Sequence, residues 1–204
     1  GGFAEQSAGY GRLRGSTDLS SEAGRAGLLL IDPERVLVMT GDGSGAISSP
    51  PPGDTYLAVD EDSIETDTSG GVAILAESGV DFQPLDDGGL NMELDNDLFI
   101  FLTGPGSANP AITFENPGDR INLFGDGMFG LDSSTGTAVR DLYVTTQSGN
   151  ISLDIPGADI VGGSRFESNS GTIRIIDAND VGTLANPIEM RGALALGSPG
   201  LSTT

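Results

Sequence analysis

Ser148-Gly149-Asn150-Ile151-Ser152-Leu153 returns 22 residues later as Ser170-Gly171-Thr172-Ile173-Arg174-Ile175, and this repeat decides the fold. A looser copy stands earlier, at Ser69-Gly70-Gly71-Val72-Ala73-Ile74. A second phrase, Asp159-Ile160-Val161-Gly162, returns as Asp180-Val181-Gly182-Thr183 after 21 residues. Two phrases that repeat at nearly one step predict a chain wound into coils of constant length.

Each repeated phrase joins a corner of small residues to a short strand of alternating apolar residues. Strands that recur at a step near 21 residues, without helical periodicity, are typical of a β-solenoid. We therefore predict an all-β fold, a parallel β-helix of about nine or ten coils. Equivalent positions on successive coils would lie about 4.8 Å apart. The inward ladders that we expect are Ile151 over Ile173, Leu153 over Ile175 and Ile160 over Val181.

Strands this short and this evenly spaced also fit an antiparallel β-sandwich. Hairpin signals are present at Asp42-Gly43, Asp87-Gly88 and Asp126-Gly127, although the chain has no Asn-Gly. The repeat favours the β-helix, and the direction of the strands distinguishes the two architectures.

The prediction for domain organisation is one β-helix module over residues 1–196. Three consecutive prolines cannot donate hydrogen bonds to a sheet, so the stretch 48–53 is expected to be a loop inserted between strands. Residues 197–204 are expected to be a tail or linker. Because the chain starts at Gly1-Gly2 and not at Met, we expect an internal or processed segment of a longer protein.

The chain is strongly acidic, with 30 Asp and Glu against 9 Lys and Arg, which gives a net charge of -21. Such a surface repels nucleic acid and anionic lipid, so we expect neither as a partner. Cys and His are both absent, which excludes thiolate, Ser-His-Asp and Cys-His catalysis. No apolar run reaches the roughly 18 residues of a membrane helix, and we expect no membrane insertion.

Three passages near the start of the chain carry a family resemblance: Gly1–Ser7, Leu13–Leu19 and Gly24–Pro33. The last of them contains Leu28-Leu29-Leu30-Ile31-Asp32-Pro33. These passages resemble filamentous-haemagglutinin-type exoproteins, in which a similar passage leads from one β-helix region into the next. The later coil-like stretches, such as Ser148–Leu153, are similar to the coil repeats of the same family.

The resemblance implies a right-handed β-helix within a large bacterial adhesin that is exported by two-partner secretion. It implies a secreted or cell-surface location, associated with the outer membrane. The function that we expect is a non-enzymatic structural or adhesive module. Its expected partners are a receptor or glycan on a host or neighbouring cell. The two ends of a β-helix expose unpaired backbone groups, so end-to-end self-association into a fibre is also expected.

The alternative function is a carbohydrate-active β-helix enzyme, a pectinase-like hydrolase or lyase that acts on acidic polysaccharide. A glycosidase needs two carboxylates beside the bond, and the adjacent pair Asp86-Asp87 is the best candidate. The pair is similar to the paired aspartates of polygalacturonases, but those enzymes also use His and Lys, which this chain lacks. Asp86-Asp87 is therefore interpreted as a turn between two strands, and we expect no catalytic residue and no cofactor.

Calcium is the only metal that the sequence suggests. The densest acidic cluster is Asp60-Glu61-Asp62 with Glu65 and Asp67, and carboxylates on successive coils can form oxygen cages for Ca²⁺. Asp60, Asp62 and Glu65 are the candidate ligands, but the cluster lacks the EF-hand pattern, and acidic loops are the favoured interpretation.

The phenylalanines are expected to stack in the core and not to form a platform for sugars. The set is Phe99, Phe101, Phe114, Phe124 and Phe129.

Overall fold

The computed structural model describes residues 2–7, 11–20, 26–40, 56–65, 70–103, 111–116, 118–133, 142–155, 159–160, 164–176, 178, 180–181 and 189–196. The Pro-rich loop expected at 48–53 and the tail expected at 197–204 lie outside these residues.

Most of the described residues belong to β-strands. The first nine strands are β1 (Phe3–Gln6), β2 (Gly11–Leu13), β3 (Gly27–Ile31), β4 (Arg35–Met39), β5 (Leu57–Asp60), β6 (Gly70–Ala76), β7 (Gly79–Phe82), β8 (Gly89–Asn91) and β9 (Leu98–Leu102). The others are β10 (Ala111–Phe114), β11 (Arg120–Leu123), β12 (Phe129–Ser133), β13 (Tyr143–Thr146), β14 (Ile151–Asp154), β15 (Asp159–Ile160), β16 (Arg165–Ile176), β17 (Asp180–Val181) and β18 (Glu189–Leu196).

All pairings between the described strands are parallel, which rules out the antiparallel sandwich for this part of the chain. An eleven-stranded sheet runs β1-β3-β6-β9-β12-β14-β16 and then returns through β13-β11-β8, with β18 beside β16. A five-stranded sheet has the order β10-β7-β4-β5-β2. The expectation of an all-β chain with parallel strands is confirmed.

The strands form three faces, because the long strand β16 belongs to two of them. Face I holds β1, β3, β6, β9, β12, β14 and the second half of β16. Face II holds β8, β11, β13 and the first half of β16, and face III is the five-stranded sheet. The chain passes from face I to face III to face II, as in β6, β7 and β8, and then starts again at β9. This repeated path is what a parallel solenoid requires.

The predicted ladders are confirmed. Ile151 is in register with Ile173, Leu153 with Ile175, and Ile160 with Val181. Ile151, Leu153, Ile173 and Ile175 are fully buried, and they belong to one continuous core with residues from all three faces. Each buried Ile or Leu stabilises the fold by roughly 2 kcal/mol through removal of its side chain from water.

The step between coils is constant only in the second half of the chain. Phe129, Ile151, Ile173 and Leu194 follow one another in one ladder at steps of 22, 22 and 21 residues. Earlier in the same ladder, Leu98 precedes Phe129 by 31 residues. The core positions therefore stay in register although the coil length varies. The longer coils have their extra residues between the strands.

One strand interrupts the regular order of coils. In face III, β5 lies between β2 and β4, although it follows β4 in the chain. Leu57 is in register with both Gly11 and Val36. In face I the first two coils are adjacent, because β1 pairs directly with β3. In face III the additional strand β5 separates the same two coils.

Two short helical turns follow strands of face III. Helix α1 (Glu61–Glu65) continues directly from β5, and a single 3-10 turn at Asp86–Gly88 precedes β8. Helix α1 differs from the loop expected for this acidic cluster, because Ile64 and Ser63 are buried against the core. In the described part of the chain, no helix has the length and apolar character needed to cross a membrane.

The small-residue corner of the repeat brings backbones very close together. A Cβ placed on Gly149 would lie 1.9 Å from the carbonyl oxygen of Gly127, and one on Gly171 would lie 2.0 Å from that of Gly149. Gly27 and Gly70 repeat the arrangement near the start of face I, where a Cβ on Gly70 would lie 2.5 Å from the oxygen of Gly27. Glycine is required at these corners because any side chain would collide with the backbone of the coil below.

Candidate functional site

The outer surface of face II carries a connected set of polar and aromatic side chains. We call this surface the polar platform. Its residues occupy alternate positions on three adjacent strands and the turns that follow them, and they are Arg120, Asn122 and Phe124, then Tyr143, Thr145 and Gln147, then Arg165, Glu167 and Asn169.

The alternation of the strands explains why these residues face outward. Ile121, Val144 and Phe166 stand between them and are fully buried in the core. Successive side chains of a strand point to opposite faces, so the residues on either side of each buried one lie on the outer surface. The pairing places Asn122 beside Thr145 and Thr145 beside Glu167.

Tyr143 lies between two arginines on the neighbouring coils. The guanidinium carbon of Arg165 is 4.9 Å from the centre of the Tyr143 ring, and that of Arg120 is 5.8 Å from it. Both distances fit a cation–π interaction, which is worth about 0.5–1 kcal/mol at an exposed site. The ring therefore holds two positive charges in fixed places on an otherwise acidic protein.

Glu167 balances part of this positive charge. Its Oε1 accepts hydrogen bonds from Arg165 Nη2 at 2.6 Å and Nε at 2.9 Å, and Arg191 Nη1 lies 3.2 Å away. Burial alone would raise the pKa of Glu167, but the hydrogen bonds from Arg165 and the charges of Arg165 and Arg191 hold that pKa below its usual value. The hydroxyl of Tyr143 donates to Oε2 at 3.3 Å, so the carboxylate joins three strands.

A ladder of hydrogen bonds runs across the strands through the middle of the platform. Thr145 Oγ1 donates to Asn122 Oδ1 at 2.8 Å, and Asn122 Nδ2 donates to Asn91 Oδ1 at 2.7 Å. These bonds fix the orientation of side chains that would otherwise rotate freely, so the polar groups of the platform are ordered before any ligand arrives.

A groove of about 320 Å³ opens at the end of the platform where the strands turn. Its lining includes Phe124, Gln147, Glu167 and Asn169. The Phe124 side chain is 45% exposed, and Gln147 Oε1 accepts a hydrogen bond from the Gly125 amide at 2.9 Å. The groove thus combines an exposed aromatic ring with amide and carboxylate groups, a combination that suits ligands with both apolar and hydroxyl-bearing surfaces.

The expectation for the phenylalanines holds only in part. Phe129 is buried in the core, and the rings of Phe82 and Phe114 stack at 4.5 Å. Phe99 and Phe101 lie on the outer side of face I, with ring centres 6.4 Å apart. Phe124 was wrongly expected in the core, because it follows the last residue of β11 and points away from the core at the turn.

The candidate calcium ligands have other partners in the structure. Arg12 Nη2 lies 2.6 Å from the Oδ1 of buried Asp60, and Glu65 Oε1 accepts the backbone amide of Asn91. Asp62 is on the exposed side of helix α1. In the described residues, no three acidic side chains form a group that could hold a metal ion, so calcium binding by Asp60, Asp62 and Glu65 stays a prediction without geometric support.

The pair Asp86-Asp87 forms the exposed 3-10 turn between β7 and β8, as the sequence predicted. Buried Glu61 lies under this turn and accepts the Asp86 amide at 3.2 Å through Oε2. Glu65 is also buried, and its burial, together with the charges of Asp62, Asp87 and Asp86, raises its pKa to about 7. Five carboxylates are therefore near one another here, and the raised pKa leaves Glu65 partly protonated at neutral pH.

A second acidic cluster, at Asp95 and Asp97, ties neighbouring coils together. Asp95 Oδ1 accepts the amide of Asp126 at 2.8 Å, and Asp97 Oδ1 accepts that of Met128 at 2.8 Å. Asn150 does the same two coils after Asp97, where its Oδ1 accepts the Thr172 amide at 2.8 Å. These side-chain oxygens serve as hydrogen-bond acceptors at the corners of the coils.

Comparison with protein-family models, with curated proteins and with solved structures gives no match for this chain.

Proposed function

We propose that this chain is a non-enzymatic structural and adhesive module of a secreted or cell-surface bacterial exoprotein. The observation that supports the proposal is the uninterrupted parallel stacking of face I from β1 to β16 over one continuous core. Stacked coils satisfy the backbone of each internal strand through its two neighbours, and the result is a stiff body that holds its outer surfaces at fixed positions.

The finer features of this proposal come from the repeat and the family resemblance. They are a right-handed winding, a total of about nine or ten coils over residues 1–196, export by two-partner secretion, and association with the outer membrane. The partner class is a receptor or glycan on a host or neighbouring cell. The low density of catalytic residue types, with no His and no Cys, favours binding over catalysis.

End-to-end assembly into a fibre is part of the proposal. In the described sheet β1 is the terminal strand of face I and pairs only with β3, so its other edge is open. Phe3 on this strand is 62% exposed. An edge strand with an exposed aromatic residue is a template for pairing with another chain, and a second coil stacked on it would cover both.

The experiment for this function is an adhesion assay with beads that carry the purified chain. The proposal predicts that beads with the folded chain adhere to at least one bacterial or host cell type, and that beads with the urea-unfolded chain do not. Equal adhesion by folded and unfolded chain, or none across a broad panel of cells, would contradict it. Sedimentation at rising concentration tests the fibre separately, since a fibre predicts growing species and a strict monomer excludes it.

The alternative, a carbohydrate-active enzyme, has one observation in its favour. Glu65, with a pKa raised to about 7, is the type of group that can act as a general acid, and it lies near Asp86 and Asp87. The test is release of reducing ends or unsaturated products from polygalacturonate. The structural proposal predicts no release, and release that is lost in Glu65→Gln would instead establish the enzyme.

A further inference from the structure

We propose that the polar platform is a binding site for an oligosaccharide that bears carboxylate groups, such as a chain of uronic acids. In this assignment the guanidinium of Arg120 receives a carboxylate of the ligand, and Phe124 receives the apolar face of a sugar ring. The inference rests on the proposed adhesive function and adds to it the place and the chemistry of contact.

The charge of the platform selects an anionic ligand. Arg120, Arg165 and Arg191 lie on one surface, whereas the chain as a whole has a net charge of -21. Glu167 is engaged by Arg165 and Arg191. In the described part of the chain Arg120 contacts the Tyr143 ring and no carboxylate, and its side chain is exposed. A guanidinium presented in this way matches the two oxygens of a carboxylate through paired hydrogen bonds.

The groove at the other end of the platform selects a sugar. The exposed face of Phe124 offers apolar area, and Gln147 and Asn169 offer amide groups on the next two coils. Because Gln147 Oε1 already accepts the Gly125 amide, the group that Gln147 can offer to a ligand in the groove is its Nε2 donor. An aromatic ring beside fixed amide groups fits a pyranose ring, which has one apolar face and hydroxyl groups at its edge.

The distance between the two contact points requires an oligomer. Arg120 and Phe124 are four residues apart along one extended segment, so their Cα atoms are separated by about 13 Å. A single sugar cannot reach both. Thr145, which is half-buried and bonded to the buried Asn122, would face the middle of the ligand.

Nucleic acid is a poorer fit to the same surface. It also carries regularly spaced anions, but each of its phosphates would meet the field of a strongly acidic protein, and three arginines cannot neutralise a long phosphate backbone. A short acidic peptide has the charge without the sugar rings, and it therefore serves as an outcome of the test.

Calorimetric titration of the folded chain with tri-galacturonate tests the proposal, with the methyl ester of the same trimer and tri-glutamate as matched probes. We expect saturable binding of tri-galacturonate. Binding of the ester should be at least five-fold weaker, since it cannot pair with Arg120, and tri-glutamate should bind at least five-fold more weakly because it lacks the rings. Equal affinity for the ester would contradict the carboxylate assignment, and equal affinity for tri-glutamate would contradict the sugar assignment.

Three variants locate the site. Arg120→Ala should weaken binding of tri-galacturonate about ten-fold through loss of a charge-assisted pair, and Phe124→Ala about five-fold. Arg174→Ala removes an equally exposed arginine from face I and should leave the affinity unchanged within two-fold. Unchanged urea unfolding of each variant establishes that the fold is intact. Absence of binding, or the same loss in Arg174→Ala as in Arg120→Ala, would overturn the site.

The outcome is separable from that of the adhesive function. Adhesion of beads that is unchanged in Arg120→Ala and Phe124→Ala would overturn the platform as the contact site and would leave the adhesive module standing.

Discussion

Gly171 lies on top of Gly149, so close that a Cβ on Gly171 would stand 2.0 Å from the Gly149 carbonyl oxygen. The same relationship joins Gly149 to Gly127 one coil earlier. The hydroxyl of Ser168 also donates to the Gly149 oxygen at 3.0 Å, so the corner is crowded on both sides. The glycine of the repeated Ser-Gly phrase is therefore a packing requirement between coils.

Replacement of Gly171 by alanine should lower the free energy of unfolding by about 3 kcal/mol, because the new methyl group collides with backbone that cannot move aside. Urea unfolding followed by circular dichroism measures this change. The control is Gly118→Ala, since a Cβ at Gly118 meets only Asn116 Oδ1 at 3.9 Å. Equal stability of the two variants would contradict the stacked corner.

Truncation of one ladder residue should cost as much as truncation in any well-packed core. Ile173 is fully buried, and its backbone is in register with Ile151 and Leu194 of the adjacent coils. We expect Ile173→Ala to lower the free energy of unfolding by about 3 kcal/mol, from lost burial and the cavity that remains. Arg174→Ala, at the next and exposed position, should change it by less than about 0.5 kcal/mol. A small loss at Ile173 would mean that the ladder is not packed as described.

The parallel coils and the ladders could be predicted from the sequence, because each core strand of a solenoid has a local alternation of apolar residues that recurs at a fixed step. The alternation of Ile151, Ser152 and Leu153 sets the inward face, and its return at Ile173 sets the stacking. The additional strand β5 was not predictable, since its place between β2 and β4 depends on contacts between residues that are distant in sequence.

The polar platform was not predicted from the sequence, because its residues are neighbours only across coils and lie 22 or 23 positions apart in the chain. Tyr143, Thr145 and Gln147 return as Arg165, Glu167 and Asn169 at the same 22-residue step as the repeat. The outward positions of the repeat differ in residue type from coil to coil, so they carry no visible motif. A comparison of the outward residues at that step would have placed Arg165 beside Tyr143. Exposure of Phe124 depends on the end of β11, which sequence patterns locate poorly.

Stability should fall as the pH rises from about 4.5 to about 7, in proportion to the ionisation of Glu65. The pKa of Glu65 is raised to about 7 by burial and by the negative charges of Asp62, Asp87 and Asp86. A raised pKa means that the folded state binds more protons in this interval, so deprotonation favours unfolding. Between pH values of about 4.5 and about 7, the free energy of unfolding of the native chain should decline by about 2 kcal/mol more than that of Glu65→Gln.

Urea unfolding at pH values on both sides of that interval measures the Glu65 effect. Glu115→Gln serves as the control, because it removes an exposed carboxylate and makes the same change in net charge. Parallel pH profiles for the native chain and Glu65→Gln would contradict the ionisation of a buried Glu65.

Two carboxylates in register on face I should repel each other. Asp132 is paired with Asp154 on the next coil, and burial together with the Asp154 charge raises the pKa of Asp132. Asp132→Asn should stabilise the fold at pH 7 by no more than about 0.5 kcal/mol, because the pair is exposed and screened by solvent. The gain should vanish at low pH, where Asp132, with its raised pKa, is protonated and no longer repels a neighbouring charge. A gain that persists there would show that charge is not its cause.

The most direct test of the stacked coils is the distance between Glu5 and Arg174, which lie six strands apart in one outward column of face I. The column runs through Leu30, Ala73, Phe99, Gly130 and Ser152. Six strand spacings of about 4.8 Å place the two backbones about 29 Å apart. The chain has no native Cys, so Glu5→Cys and Arg174→Cys take spin labels at these two sites only. Pulsed electron–electron double resonance should give a narrow distribution of label-to-label distances centred near that value. A distribution centred below about 20 Å, four spacings or fewer, would contradict the stacked coils.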